Sequence, residues 1–172
     1  GGGIKTIEDI NILLKNGADK VTFCTEAIKN PNIIKKASNK FGSQCIVISL
    51  DVKKNNDYWE LFIYGGKQAT GIDAIQFAKK CEELGAGEIL LNSLDTDGTN
   101  QGYDIEITKL ISEAINIPII ASSGAGNPEQ ILIAFREGKA DAALAASIFH
   151  YEQYSISDVK NYLKSNSIEV RL

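Results

Sequence analysis

The chain has 172 residues, 44% apolar and 23% charged, with a formal net charge of -4. That length supports a true hydrophobic core, and the composition is that of an ordinary globular protein. The acidic balance argues against a nucleic-acid partner, which wants a basic face, and no apolar run approaches the roughly 20 residues of a membrane span. No signal peptide is visible, so a cytoplasmic setting is expected. Cys24, Cys45 and Cys81 are odd in number and widely spaced, which fits neither a CxxC metal pattern nor a disulfide framework. Buried thiols in a reducing compartment are expected.

Helix-like and strand-like stretches alternate along the chain. A helix is expected over Thr6–Lys15, with Ile7, Ile10, Leu13 and Leu14 on one face and Gly17 ending it. Lys20–Phe23 reads as a short strand, and one helix is expected over Glu26–Phe41. Cys45–Asp51 (CIVISLD) is nearly continuous in apolar residues, as buried parallel strands are. The polar turn Lys53–Asn56 then leads into a side hairpin arm at Asp57–Gly66. Ile72–Leu84 reads as a helix and Glu88–Ser93 as a strand, followed by the turn-rich DTDGTNQG. Ile105–Ile115 reads as a helix, Pro118–Ser123 as a strand, and Pro128–Glu137 as a helix with proline in its first turn. Asp141–Ser147 is expected as the last strand and Ser157–Ser165 as the last helix. Such alternation implies a parallel sheet with helices outside. With no linker in view, residues 1–172 are expected to form one domain.

An internal repeat narrows the fold. When Gly3–Gly17 is set against Gly124–Gly138, Glu8 falls on Glu129, Ile10 on Ile131 and Gly17 on Gly138; past the inserted Lys139, Thr25 falls on Ser147. The offset is about 120 residues, and two such units make roughly 240, the size of an eight-stranded barrel. A doubly wound sheet is the alternative, but a two-fold repeat with glycine loops in both halves closes naturally into a ring. The expected class is α/β: a (β/α)8 TIM barrel of the two-fold half-barrel, phosphate-binding type. The chain would hold its C-terminal five βα units, with about three strands missing ahead of them.

In such barrels the active face is the C-terminal end of the strands. Two glycine-rich loops stand there, Gly1–Gly3 and Ser123–Gly126, each leading toward a helix. Glycine lets backbone N–H groups approach a phosphate, and a helix N-terminus adds its dipole. Gly2 and Gly3 with Thr25, and Ser122 and Gly124 with Ala146 and Ser147, are therefore candidates for two similar phosphate sites on one face. Tight βα turns that merely need glycine are the other reading. Asp51 ends an otherwise uncharged strand and is the candidate acid–base group; pairing with Lys53 or Lys54 would be the structural explanation. Asp97, Gly98 and Thr99 could offer further phosphate contacts, or only a turn. His150, the lone histidine, is read as structural, and no metal or cofactor is expected. Lys20 and Glu88 begin their strands at the opposite mouth, where charge is costly unless paired or wet.

The runs GGGIKTIEDINILLKNGADKV, GAGEILL, DTDGTNQGYD, IPIIASSGAGNPEQ and GKADAALAASIFH together resemble the cyclase family of imidazole glycerol phosphate synthase. The resemblance covers nearly the whole chain. It implies an enzyme that takes ammonia from a glutaminase partner and closes an imidazole ring on a bis-phosphorylated ribulosyl aminoimidazole carboxamide nucleotide. The products would be imidazole glycerol phosphate and an aminoimidazole carboxamide ribotide, for histidine and purine synthesis. It also implies two catalytic aspartates, one of which falls on Asp51 while the other lies outside this sequence. Asp19, Lys20 and Glu88 would belong to the face and charged ring through which ammonia enters. The sequence departs from the family at Cys24 (usually Asn), Asn92 (usually Thr), Gly65 (usually Ser), Thr96 (usually Arg) and Ser123 (usually Gly). These bear on the acceptor, so a related ammonia-channelling barrel for surface-sugar amidination is a second reading. An inert partner-binding fragment is a third.

Overall fold

A computed structural model describes residues 2–171. The elements run α1 (Ile7–Lys15), β1 (Val21–Phe23), α2 (Thr25–Lys29), α3 (Asn32–Phe41), a 3-10 turn (Ser43–Cys45), β2 (Ile46–Asn55), β3 (Tyr58–Ile63), β4 (Gln68–Asp73) and α4 (Ala74–Glu83). There follow β5 (Glu88–Ser93), α5 (Ile105–Ala114), β6 (Ile119–Ser122), α6 (Pro128–Arg136), β7 (Ala142–Ala143), α7 (Ser147–His150) and α8 (Ile156–Ser165). Strands β1, β2, β5, β6 and β7 lie side by side, every pair parallel. Five parallel strands joined by helices are the expected βα units, and the α/β architecture accords with a (β/α)8 barrel.

Period-two alternation sorts the strand residues onto two faces. On β2, Ile46, Ile48, Leu50 and Val52 are fully buried, facing α3 and α4. Val47, Ser49 and Asp51 alternate with them and take the other face. The parallel register sets Glu88 and Asn92 of β5 on that second face, level with Val47 and Asp51. One hydrophobic cluster joins the strands to the helices, with Ile10, Ile34, Ile89, Leu91, Ile107 and Ile111 among its most deeply buried members. Each fully buried Leu or Ile contributes about 1.5–3 kcal/mol.

Several local expectations are corrected. The single helix over Glu26–Phe41 is broken at Asn30, before Pro31. Proline disfavours helical geometry in the residue ahead of it and lacks the N–H a continuous helix would need. The arm is not one hairpin: β2 runs straight on to Asn55 and pairs with β3, which pairs with a third strand, β4, where a helix start at Ile72 was expected. Asp73 closes β4 and caps α4 by accepting from Gln76 N. Strand β3 of the arm packs into the core, while β4 stays exposed or half-buried. Trp59, Leu61 and Ile63 are buried, and the Trp59 indole N–H donates to Asp104 at 3.2 Å. The last strand shrinks to Ala142–Ala143, because Ser147 already begins α7. On α1 only Ile10 is fully buried, and Leu13 is exposed.

Candidate functional site

The C-terminal ends of β2, β5 and β6 bring Asp51, Asn92 and Ser122 level with one another. Asp51 Oδ1 accepts a hydrogen bond from Asn92 Nδ2 at 2.9 Å, and the same amide donates to Ser49 Oγ at 2.9 Å. On the other side stands Cys24. Its thiol lies 3.6 Å from the Phe62 carbonyl, to which it donates. Burial, reinforced by the negative charge of Asp51, pushes that thiol up to about 12. The carboxylate is thus flanked by an amide and an un-ionised thiol.

Two cavities open on this face. The larger, about 640 Å³, is lined by Gly2, Gly3, Thr25, Ser49, Asp51 and Tyr64, with Lys5 and Lys29 also on its wall. Thr25 Oγ1 accepts from Tyr64 N at 3.0 Å, which leaves its own proton to donate. The Thr22 hydroxyl, on the same wall, is buried without a hydrogen-bond partner. The smaller cavity, about 200 Å³, is lined by Asp97, Gly98, Ser122, Gly124, Ala146 and Ser147, together with Ser123 and Asn100. The pairing of glycine loop with strand-end hydroxyl therefore recurs on both sides of the mouth. Thr99 lines neither cavity; its hydroxyl donates to Thr96 O at 2.7 Å and accepts from Gln101 N.

Two physical reasons given for the loops need revision. The glycine loops were expected to deliver helix N-termini, but both following helices are self-capped. Thr6 and Asp9 form a capping box on α1, and Asn127 caps α6. Each cap occupies one N–H of its helix's first turn, that of Asp9 on α1 and that of Gln130 on α6. The uncapped helix starts beside the cavities belong instead to α2 and α7, whose cap residues Cys24 and Ala146 make no side-chain bond to the helix they begin. The glycines also differ in what requires them. Gly2 and Gly3 have φ of 83° and 69° with open space around them. At Gly124 a Cβ would lie 2.2 Å from Gly102 O, and at Gly126 one would lie 2.3 Å from Asn100 O. Those glycines admit the β5–α5 loop, whose Gly102 N–H donates to Gly124 O at 2.8 Å.

The remaining charged residues are sorted by position. Asp95, in the same turn as Asp97, accepts from Lys54 N at 2.8 Å and serves the arm. His150 ends α7, exposed and edge-on to Tyr151. Lys20 forms an ion pair with Glu88, and Asp19 is exposed beside it. Glu88 opens β5 while Asn92 lies near its end, roughly 13 Å along at the rise of a parallel strand, so this pair belongs to the opposite mouth. Sequence reading missed the part played by Asn92. Its phase in EILLNS matches that of Asp51 in CIVISLD, but only the register sets the two side by side.

A parallel α/β sheet whose strand ends carry two small-residue cavities, one of them walled by a carboxylate, fits an enzyme of the (β/α)8 barrel class. Residues 1–155 match the histidine biosynthesis protein family, and the chain belongs to that family. The imidazole glycerol phosphate synthase subunit HisF of Methanosarcina acetivorans is 54% identical over 190 residues, covering 100% of this chain and 70% of that protein. The subunit HisF of Methanosarcina mazei is 53% identical with the same coverage. That of Dehalococcoides mccartyi is 51% identical over 172 residues, covering 100% of this chain and 68% of its own length.

Proposed function

We propose that this chain is the cyclase part of an imidazole glycerol phosphate synthase, a lyase of histidine biosynthesis acting in the cytoplasm. As one domain, it would supply the last five βα units of the barrel. The observation that carries this reading is the pair of like-built cavities at the strand ends, the larger of them walled by Asp51. A substrate with a phosphate at each end, the bis-phosphorylated ribulosyl aminoimidazole carboxamide nucleotide, fits that layout. One phosphate would lie against Gly2, Gly3 and Thr25, the other against Gly98, Gly124, Ala146 and Ser147. Backbone N–H groups and hydroxyls hold phosphates without needing a cation, which suits the smaller cavity, whose one ionisable lining residue is Asp97. Asp51, on the wall of the larger cavity, would move protons as ammonia closes the imidazole ring. A glutaminase subunit would deliver that ammonia through the opposite mouth, past Asp19, Lys20 and Glu88.

Replacing Asp51 by Asn tests the assignment. Turnover with ammonium salt as nitrogen source should fall on the order of 10²–10⁴-fold while KM for the nucleotide stays nearly constant. Unchanged turnover would remove Asp51 from the chemistry. A crystal soaked in inorganic phosphate should show the anion in both cavities, and two empty cavities would count against the bis-phosphate reading.

A further inference from the structure

A group that moves protons must be held at a fixed angle to its substrate, and a strand-end aspartate has two side-chain torsions free to turn. Asn92 removes that freedom. The register sets it directly opposite Asp51, and its Nδ2 donates to Asp51 Oδ1 at 2.9 Å and to Ser49 Oγ at 2.9 Å. A side-chain amide carries two N–H donors on one nitrogen, and an ionised carboxylate can only accept. The amide must therefore turn its nitrogen toward Asp51. Ser49, 8% exposed, anchors the second N–H and stops the amide from rotating. Ser49 and Asp51 alternate on the same face of β2, so one side chain from β5 ties both. Ser49 also lines the larger cavity, and with its oxygen accepting from Asn92 its proton is left for that cavity.

We propose that Asn92 is the positioning residue of the site: bridged to Ser49, it fixes the Asp51 carboxylate at the wall of the larger cavity. This rests on the reading of Asp51 as the acid–base group. Asn92 lines neither cavity, so it acts through Asp51 rather than on the ligand. Its loss should reach kcat and spare KM.

The experiment is a double-mutant cycle on the whole protein, assayed with ammonium salt and the bis-phosphorylated nucleotide. Asn92→Ala should lower kcat by on the order of 10–100-fold, the scale of a misplaced catalytic group, with KM within about twofold. Asn92→Thr, which keeps one donor, should recover part of the loss. Asn92→Asp, nearly isosteric but with no N–H and an added charge, should not. In an Asp51→Asn background, Asn92→Ala should cost little more, because coupled residues are not additive. Full kcat in Asn92→Ala while Asp51→Asn remains impaired overturns this inference and leaves Asp51 in place. Equal losses from Asn92→Ala in both backgrounds also overturn it. If Asp51→Asn itself is without effect, Asn92 has nothing to position and both readings fall. Should Asn92→Ala fail to fold, the order of Asn92→Thr above Asn92→Asp in kcat decides the matter, and equal kcat in the two overturns it.

Discussion

Ser123 holds a left-handed backbone, φ 78°, on the wall of the smaller cavity. Such a conformation costs an L-residue roughly 1–2 kcal/mol, and glycine adopts it freely. That explains why glycine suits this place in the family the chain resembles. Ser123→Gly should raise stability, by about 0.5 kcal/mol once the greater freedom of unfolded glycine is subtracted. A urea midpoint shifted upward at constant slope is the expected result, and a downward shift would deny the strain. Cys24 and Cys81 make a second case. Burial raises both thiols to about 12, first and foremost by desolvation. A thiol at that value is ionised only to about 1 part in 10⁴ at pH 8, so alkylation of either in the native protein should be on the order of 10³-fold slower than for a free thiol. In the unfolded chain the same thiols ionise near 8.5. Their contribution to stability is therefore complete below that pH and is lost as pH rises toward 12. Melting temperatures at pH 7, 9 and 10 should fall in that order, most steeply above 8.5.

At the scale of elements, the arm shows how one buried contact outweighs several exposed ones. Trp59 is only 3% exposed, with its indole N–H on Asp104, and Asp104 also accepts from Ser93 Oγ at 3.0 Å while capping α5. Trp59→Ala should cost about 3–5 kcal/mol. Lys54, by contrast, lies over the Trp59 ring at 4.6 Å and pairs with Glu106 at 2.7 Å, but both charges are solvent-exposed. Lys54→Ala should cost far less, because an exposed ion pair is screened by solvent, and calorimetry on the two variants separates these scales. The arm was only half legible in the sequence. YWELFI alternates visibly as a strand, whereas QATGID carries a glycine at φ 72° and little apolar signal. It becomes β4 because Gly71 N–H donates to the buried Glu60 carboxylate and Thr70 Oγ1 to Leu61 O at 2.7 Å. Those partners lie on another strand, beyond what local pattern can report. Pro31 is the opposite case: its helix break is a local rule, overrun by the apolar periodicity on both sides.

For the whole molecule, the two ends of the parallel strands carry different chemistry. Asp51 and the cavities occupy one mouth, and the Lys20–Glu88 pair occupies the other. A stabilising ion pair and a gate for ammonia both account for the charges, and a coupled assay separates them. If the pair gates ammonia, Lys20→Ala should impair glutamine-dependent turnover while turnover with ammonium salt stays closer to normal. Equal losses with both nitrogen sources would leave only the structural role. Among the described residues β1 pairs with β2 alone and β7 with β6 alone. Open edges of this kind invite association.

The sequence by itself determined the alternation of strands and helices, the half-barrel repeat and the family. Each is written in periodicity or in runs of identity, which are properties of neighbours along the chain. It also singled out Asp51, because one charge at the end of an apolar strand is visible without coordinates. Only the tertiary structure decided what surrounds that charge. The register of β2 against β5 turned Asn92 from a departure in a motif into a hydrogen-bond donor to Asp51. The approach of the β5–α5 loop gave Gly124 and Gly126 a steric reason to be glycine. The caps on α1 and α6 moved the open helix starts to α2 and α7. Contacts between residues tens of positions apart are set by how the strands align and how closely the loops approach, and no local pattern encodes either.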